Sequence, residues 1–167
     1  MTTYEALRQQ YRPAKVEVLL IGESPPDPAA GAQRFFFAPE LKVYNLFRAV
    51  VQARYGDAVD IADKPSVLRR LKDDGYWLID ATEKPINKKQ RAERKAALIA
   101  AVPDLIARCR ETAPRRGVVI CHGGVYKLVA DKLRDAGIRV LHDEPIPFPL
   151  GNWRRQFVEG FRRAVGI

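Results

Sequence analysis

The segment Val16–Phe37, VEVLLIGESPPDPAAGAQRFFF, opens as a six-residue apolar run and breaks at Gly22 into a polar, proline-rich loop. An apolar run of that length bounded by turn residues reads as a buried strand, Val16 to Ile21. The loop carries Glu23 and Asp27 and ends on Arg34 and three consecutive phenylalanines. Acids and aromatics delivered at the C-terminal end of a strand match the layout of a site in an open α/β sheet. An ordinary strand–loop connection whose phenylalanines belong to the core gives the same pattern.

On either side the chain alternates between short apolar runs and amphipathic stretches. Tyr4–Tyr11 reads as a helix that stops before Pro13. Leu41–Tyr55 has helical spacing with Gly56 as its terminator, and Ser66 is expected to cap a short helix over Val67–Asp73 that Gly75 closes. Tyr76–Ala81 (YWLIDA) is a second strand. Its exit loop carries Asp80 and runs to Asn87. A helical region over Gln90–Thr112 breaks at Pro103. Gly117–Cys121 is a third strand followed by His122, and a helix covers Val125–Ala136. Ile138–Leu141 is read as a fourth strand, and His142–Asn152 as a loop leading into a last helix, Trp153–Val165.

The expected fold is therefore α/β: a mostly parallel four-stranded sheet between two layers of helices, in one domain spanning residues 1–167. The loops Gly22–Phe37, Asp80–Asn87 and His142–Asn152 then fall on one edge of the sheet. That convergence predicts a single site.

Composition narrows the partners. The 167 residues include 29 Lys and Arg against 20 Asp and Glu, a formal charge of +9. Such an excess favours polyanions, nucleic acid above all, although a solvated basic surface gives the same count. Cys109 and Cys121 are the only cysteines. They are too few for a four-cysteine metal or iron–sulfur site and give no disulfide framework, which makes a cytoplasmic location the default. No apolar run approaches the about 20 residues of a membrane span, and the polar start is unlike a secretion signal. The expected location is cytoplasmic.

With these residues in view, the chain resembles the uracil-DNA glycosylase superfamily over nearly its whole length. Gly22-Glu23-Ser24-Pro25-Pro26 after the first strand is similar to that family's first motif. Pro147-Phe148-Pro149-Leu150 resembles the end of its late HPSPL motif. Gly151–Phe157 and Gly160-Phe161 are similar to the segment that follows. YWLIDATEKP stands where the family has a strand ending in a base-reading Asn, and VVICHGG resembles its third strand and glycine turn. Two departures matter. Ile146 occupies the place of the family's catalytic His, and Asp80 that of its Asn.

The resemblance implies a cofactor-free N-glycosylase, acting as a monomer on duplex or single-stranded DNA, that flips and excises a deaminated or damaged base. Leu150, on a loop stiffened by Pro145, Pro147 and Pro149, matches the family's wedge; otherwise it caps the last helix. Phe36 or Phe37 is the expected platform for the flipped base. In an extended stretch Phe35 and Phe37 face opposite to Phe36, so at least one of the three belongs to the core. Glu23, with Asp27 in reserve, fits the carboxylate that holds water and stabilises the sugar cation; otherwise it caps its own turn. His142 or His122 is the candidate substitute for the missing histidine.

Asp80 is the more diagnostic departure. An ionised carboxylate only accepts hydrogen bonds, so it suits a base edge offering donors better than uracil. Asn87 is the alternative reader if its loop folds back. Arg34, Lys88, Lys89, Arg91, Arg94, Arg154 and Arg155, with Pro147 and Phe148, fall where a DNA backbone can lie. Two other readings are a catalytically weakened DNA- or base-binding relative, favoured by Ile146, and a small-molecule α/β hydrolase centred on Cys121 or His122.

Overall fold

A computed structural model describes residues 3–27, 35–40, 45–86 and 88–167. Among these residues the element order is α1 (Thr3–Gln10), β1 (Val18–Gly22), α2 (Asn45–Tyr55), α3 (Lys64–Asp73), β2 (Tyr76–Asp80), α4 (Arg91–Ala100), α5 (Val102–Thr112), β3 (Gly117–Ile120), α6 (Gly123–Asp135) and α7 (Arg154–Val165), with a 3₁₀ turn at Gly151–Trp153.

The strands form an open parallel sheet in the order β2–β1–β3. Val18 to Gly22 pair with Tyr76 to Asp80, and Val18 to Ile21 with Gly117 to Ile120. All five residues of β1 are buried. Successive side chains of a strand point to opposite faces, so both faces of β1 are covered. Helix α3 packs on β2 and α6 on β3, while α2 lies against α7 and α4 and α5 lie against α6. No helix among the described residues is long and apolar enough to cross a membrane.

The expected fourth strand is reduced to one bridge, Val118 to Val140. Val118 N–H donates to Arg139 O (2.8 Å) and Leu141 N–H to Val118 O (2.9 Å). The next amide of β3, Ile120 N–H, donates instead to Nε2 of His142 (3.0 Å). An imidazole takes the acceptor position that strand backbone would otherwise fill, and the pairing ends there.

Helix α6 starts at Gly123, two residues before the expected Val125, and α3 also starts early. Helix α3 begins at Lys64 rather than Val67, because Asp63 is its N-cap: the Asp63 carboxylate accepts from Ser66 N–H and from the Ser66 hydroxyl. Asp is as strong a cap as Ser, and Pro65 in the first turn needs no donor partner. The expected break in the 90–112 region is present: it is two helices, with Pro103 in the first turn of α5.

The phenylalanines correct a larger expectation. Phe35, Phe36 and Phe37 lie in a turn, not an extended run, and each is only 2% exposed. Phe36 packs edge-on against Phe37 and Phe47, and Phe37 stacks with Tyr11. Beneath them the buried Lys64 ammonium donates to Phe35 O (3.3 Å) and sits 4.8 Å from the centre of the Phe47 ring. Burial pushes Lys64 down to about 8. All three rings are core, so neither Phe36 nor Phe37 offers a stacking face here.

Gly22 is required by close approach. A Cβ on it would lie 2.7 Å from Oδ1 of Asp80, its partner across the β1–β2 ladder. Overpacking of this kind costs about 1–3 kcal/mol. Gly22→Ala is expected to lower the urea-unfolding midpoint accordingly, and an unchanged midpoint would show that Asp80 does not hold that space.

Candidate functional site

Parallel pairing carries the ends of all three strands to one rim. The ladder runs past the strands: Ala81 N–H donates to Gly22 O (2.8 Å), Thr82 N–H to Glu23 O (3.1 Å) and Cys121 N–H to Ile21 O (2.8 Å). Glu23 thus leaves the sheet on backbone held by a neighbouring strand's continuation.

Its carboxylate is clamped between two cations or donors. Oε1 lies 2.5 Å from Nη2 of Arg94 on α4, and Oε2 lies 3.4 Å from Nε2 of His122. His122 is the N-cap of α6, and its Nδ1 accepts from Val125 N–H at 3.2 Å. A capping Nδ1 must be unprotonated, which leaves the ring proton of the neutral tautomer on Nε2, facing Glu23. Burial pushes the His122 pKa down; Glu23 opposes this and Arg94 reinforces it. Burial, Arg94 and the acceptor role of Nδ1 in the cap all favour the neutral ring.

The late loop reaches the same place. The Phe148 ring stands 5.7 Å from the His122 ring, tilted by 44°. Gly123 sits against the backbone of Ile146 and Pro147, where a Cβ would be 3.7 Å from either. The first and second loops are joined by an ion pair between Asp27 and Lys88 (3.3 Å).

Several expected residues lie elsewhere or are otherwise engaged. Arg34 and Asn87 fall outside the described residues. His142 does not fit a catalytic role: Nε2 accepts from Ile120 N–H and Nδ1 faces Glu144 O at 2.8 Å, so both ring nitrogens are spent on the sheet edge. Ile146 is buried against Gly160 of α7. Arg94 serves Glu23 rather than a phosphate. Arg154 directs Nε to Gln52 Oε1 (2.8 Å) and Arg155 directs Nε to Glu159 (3.0 Å), with Lys88, Lys89 and Arg155 exposed. Cys121 is fully buried, and burial drives its thiol far above the ordinary range, so it is no nucleophile.

Asp80 stands at the rim in register but turns inward. It is 5% exposed, with Oδ2 at 3.3 Å from Nη2 of Arg8 and Oδ1 over Gly22. That is an internal ion pair, not a carboxylate presented to a base. Burial raises its pKa to about 6 against the pull of Arg8 and Arg108. Arg108 also caps the end of β2, donating to Asp80 O (2.7 Å) and Ala81 O (3.1 Å). Nothing in the sequence singled out Arg8 or Arg108, which sit on helices far from the motifs.

Among the described residues no group of three or more His, Cys, Asp and Glu side chains is arranged to hold a metal ion. Compared with known proteins, the chain matches no family model and no curated protein.

Two outcomes follow. His142→Ala leaves the buried Ile120 amide without its acceptor and is expected to cost about 1–3 kcal/mol in denaturant unfolding. For Asp80, the folded pKa lies above the unfolded one, so the folded state holds the extra proton. The stability of the wild type relative to Asp80→Asn should therefore fall as pH rises from about 4 to about 6, by up to about 3 kcal/mol, and level off above. A flat difference across that window would remove the buried titration.

Proposed function

We propose that this chain is a uracil-DNA glycosylase-like protein that works on a nucleobase extruded from DNA, in a three-layer fold whose fourth strand position is held by the Val140 bridge and His142. The observation that carries this reading is Glu23, held between Arg94 and His122 at the strand ends, with the exposed Leu150 turn leaving the same neighbourhood through Phe148. A carboxylate there faces the positive charge that develops on a sugar as its bond to the base breaks.

In such a step the C1′–N bond breaks with its electron pair going to the base. A water oxygen bonds to C1′, and the water's proton ends on the base. Glu23 holds the water and offsets the sugar's charge. His122, with its N–H fixed toward Glu23 by the helix cap, is a positioning residue. Lys88, Lys89 and Arg155 supply exposed positive charge for phosphates.

A second reading has its own support. With Ile146 in the core and the His122 proton directed at Glu23, no imidazole is left to stabilise a departing base anion. Losing one such donor costs about 10²–10³ in rate. This favours a member that binds an extruded base and cuts slowly or not at all.

Incubation with single- and double-stranded oligonucleotides carrying uracil, hypoxanthine or xanthine, followed by alkali, separates the two. The glycosylase reading expects strand breaks that fall by about 10²-fold or more in Glu23→Gln. Salt-sensitive binding with no breaks on any lesion supports the binder. Absence of binding at low salt defeats both.

A further inference from the structure

The most exposed aromatic side chain described was not among the sequence-derived candidates. Trp153 is 56% exposed and Leu150 61%, and they are joined by the Trp153 N–H to Leu150 O hydrogen bond of the 3₁₀ turn (3.2 Å). The only other tryptophan, Trp77, is buried with its indole N–H donating to Arg8 O at 3.0 Å. Two large apolar side chains on one short turn are thus more than half exposed.

Arginines outnumber acids around them. Arg154 follows directly and commits only Nε, to Gln52. Beside it lies a groove of about 250 Å³ whose polar lining is Arg48, Gln52, Arg154 and one acid, Asp57, the rest being Gly56 and the apolar side chains of Val51, Val59 and Ile61. Arg48 makes no ion pair or hydrogen bond with the described residues, and the further nitrogens of Arg154 make none either. Arg155 is exposed on the next position of α7.

We infer that Trp153 is a stacking platform for an unpaired base, and that Arg48 and Arg154 receive the phosphates of the same strand as it runs toward the groove. The occupant is a single-stranded stretch of nucleic acid, next to Leu150 rather than within the Glu23 site. An indole face outside, guanidiniums with open N–H groups beside it and a net charge of +9 complement an exposed base on a polyanion. The inference rests on the DNA reading above but uses none of its catalytic residues.

The test is a titration of the full chain with a labelled twelve-residue oligothymidylate at low salt, and with an abasic oligomer of equal length. Strand binding is read by anisotropy and Trp153 by its emission. Because Trp77 is buried, quenching reports Trp153. The base-bearing strand should quench emission and the abasic one should not. Trp153→Ala should bind about 5- to 150-fold more weakly, with Trp153→Phe close to wild type. Arg48→Ala should weaken the binding of both strands.

Binding by anisotropy with unchanged emission and an unaffected Trp153→Ala would overturn the platform while leaving the DNA reading intact. No binding of any strand would remove both. An emission shift that depends on protein concentration alone would mean that a second copy covers the turn, and would likewise overturn the inference.

Discussion

A central parallel strand buried on both faces constrains everything else in this molecule. Every residue of β1 is shielded from water, and its backbone is paired to β2 on one side and β3 on the other. Parallel pairing forces the connections through helices and brings the ends of the strands to one edge. Glu23, Ala81 and Cys121 are therefore neighbours by construction, and their amides and carbonyls continue the ladder beyond the strands. The rim is a consequence of burial, and the site is a consequence of the rim.

That rim concentrates charge in low-polarity surroundings, and the molecule handles each charge by pairing. Asp80 is held by Arg8, and Glu23 by Arg94 and His122. Burying a charge is costly unless it is paired and hydrogen-bonded, so these arginines are conditions for the acids to be there at all. The two carboxylates, on adjacent strand ends, end up different. Asp80 faces inward over Gly22 and contributes to strand packing. Glu23 faces the loops and keeps a solvent-accessible side, 15% of its side chain exposed. The two histidines divide in the same way: His142 completes the edge of β3, whereas His122 caps α6 and turns its remaining nitrogen on Glu23.

Much of the frame was legible because it follows from local pattern. The apolar runs at Val18–Gly22, Tyr76–Asp80 and Gly117–Ile120 are too short for helices and bounded by turn residues, which makes them strands. The stops at Gly56, Gly75 and Gly137 follow from local chemistry, and all three have positive φ. The phenylalanines were ambiguous by nature. A run of three aromatics next to a loop reads equally as platform or core, and only the turn at 35–37 against Tyr4, Tyr11 and Phe47 decides for core. The fourth strand failed for a reason no propensity contains: a side chain, His142, takes the acceptor position that backbone would have filled.

By itself the sequence determined that short buried strands alternate with amphipathic helices, that strand exits carry Glu23, Asp80 and His122, and that the surface is strongly basic, because these depend on residue type and spacing. Only tertiary structure decided which acid faces inward, which histidine meets Glu23, that Arg94 belongs to that carboxylate, and that Trp153 stands exposed. Those are contacts between residues far apart in the chain, such as Arg8 with Asp80, 72 positions apart, and His122 with Glu23. They are set by how helices pack across a sheet, and spacing along the chain carries no record of that.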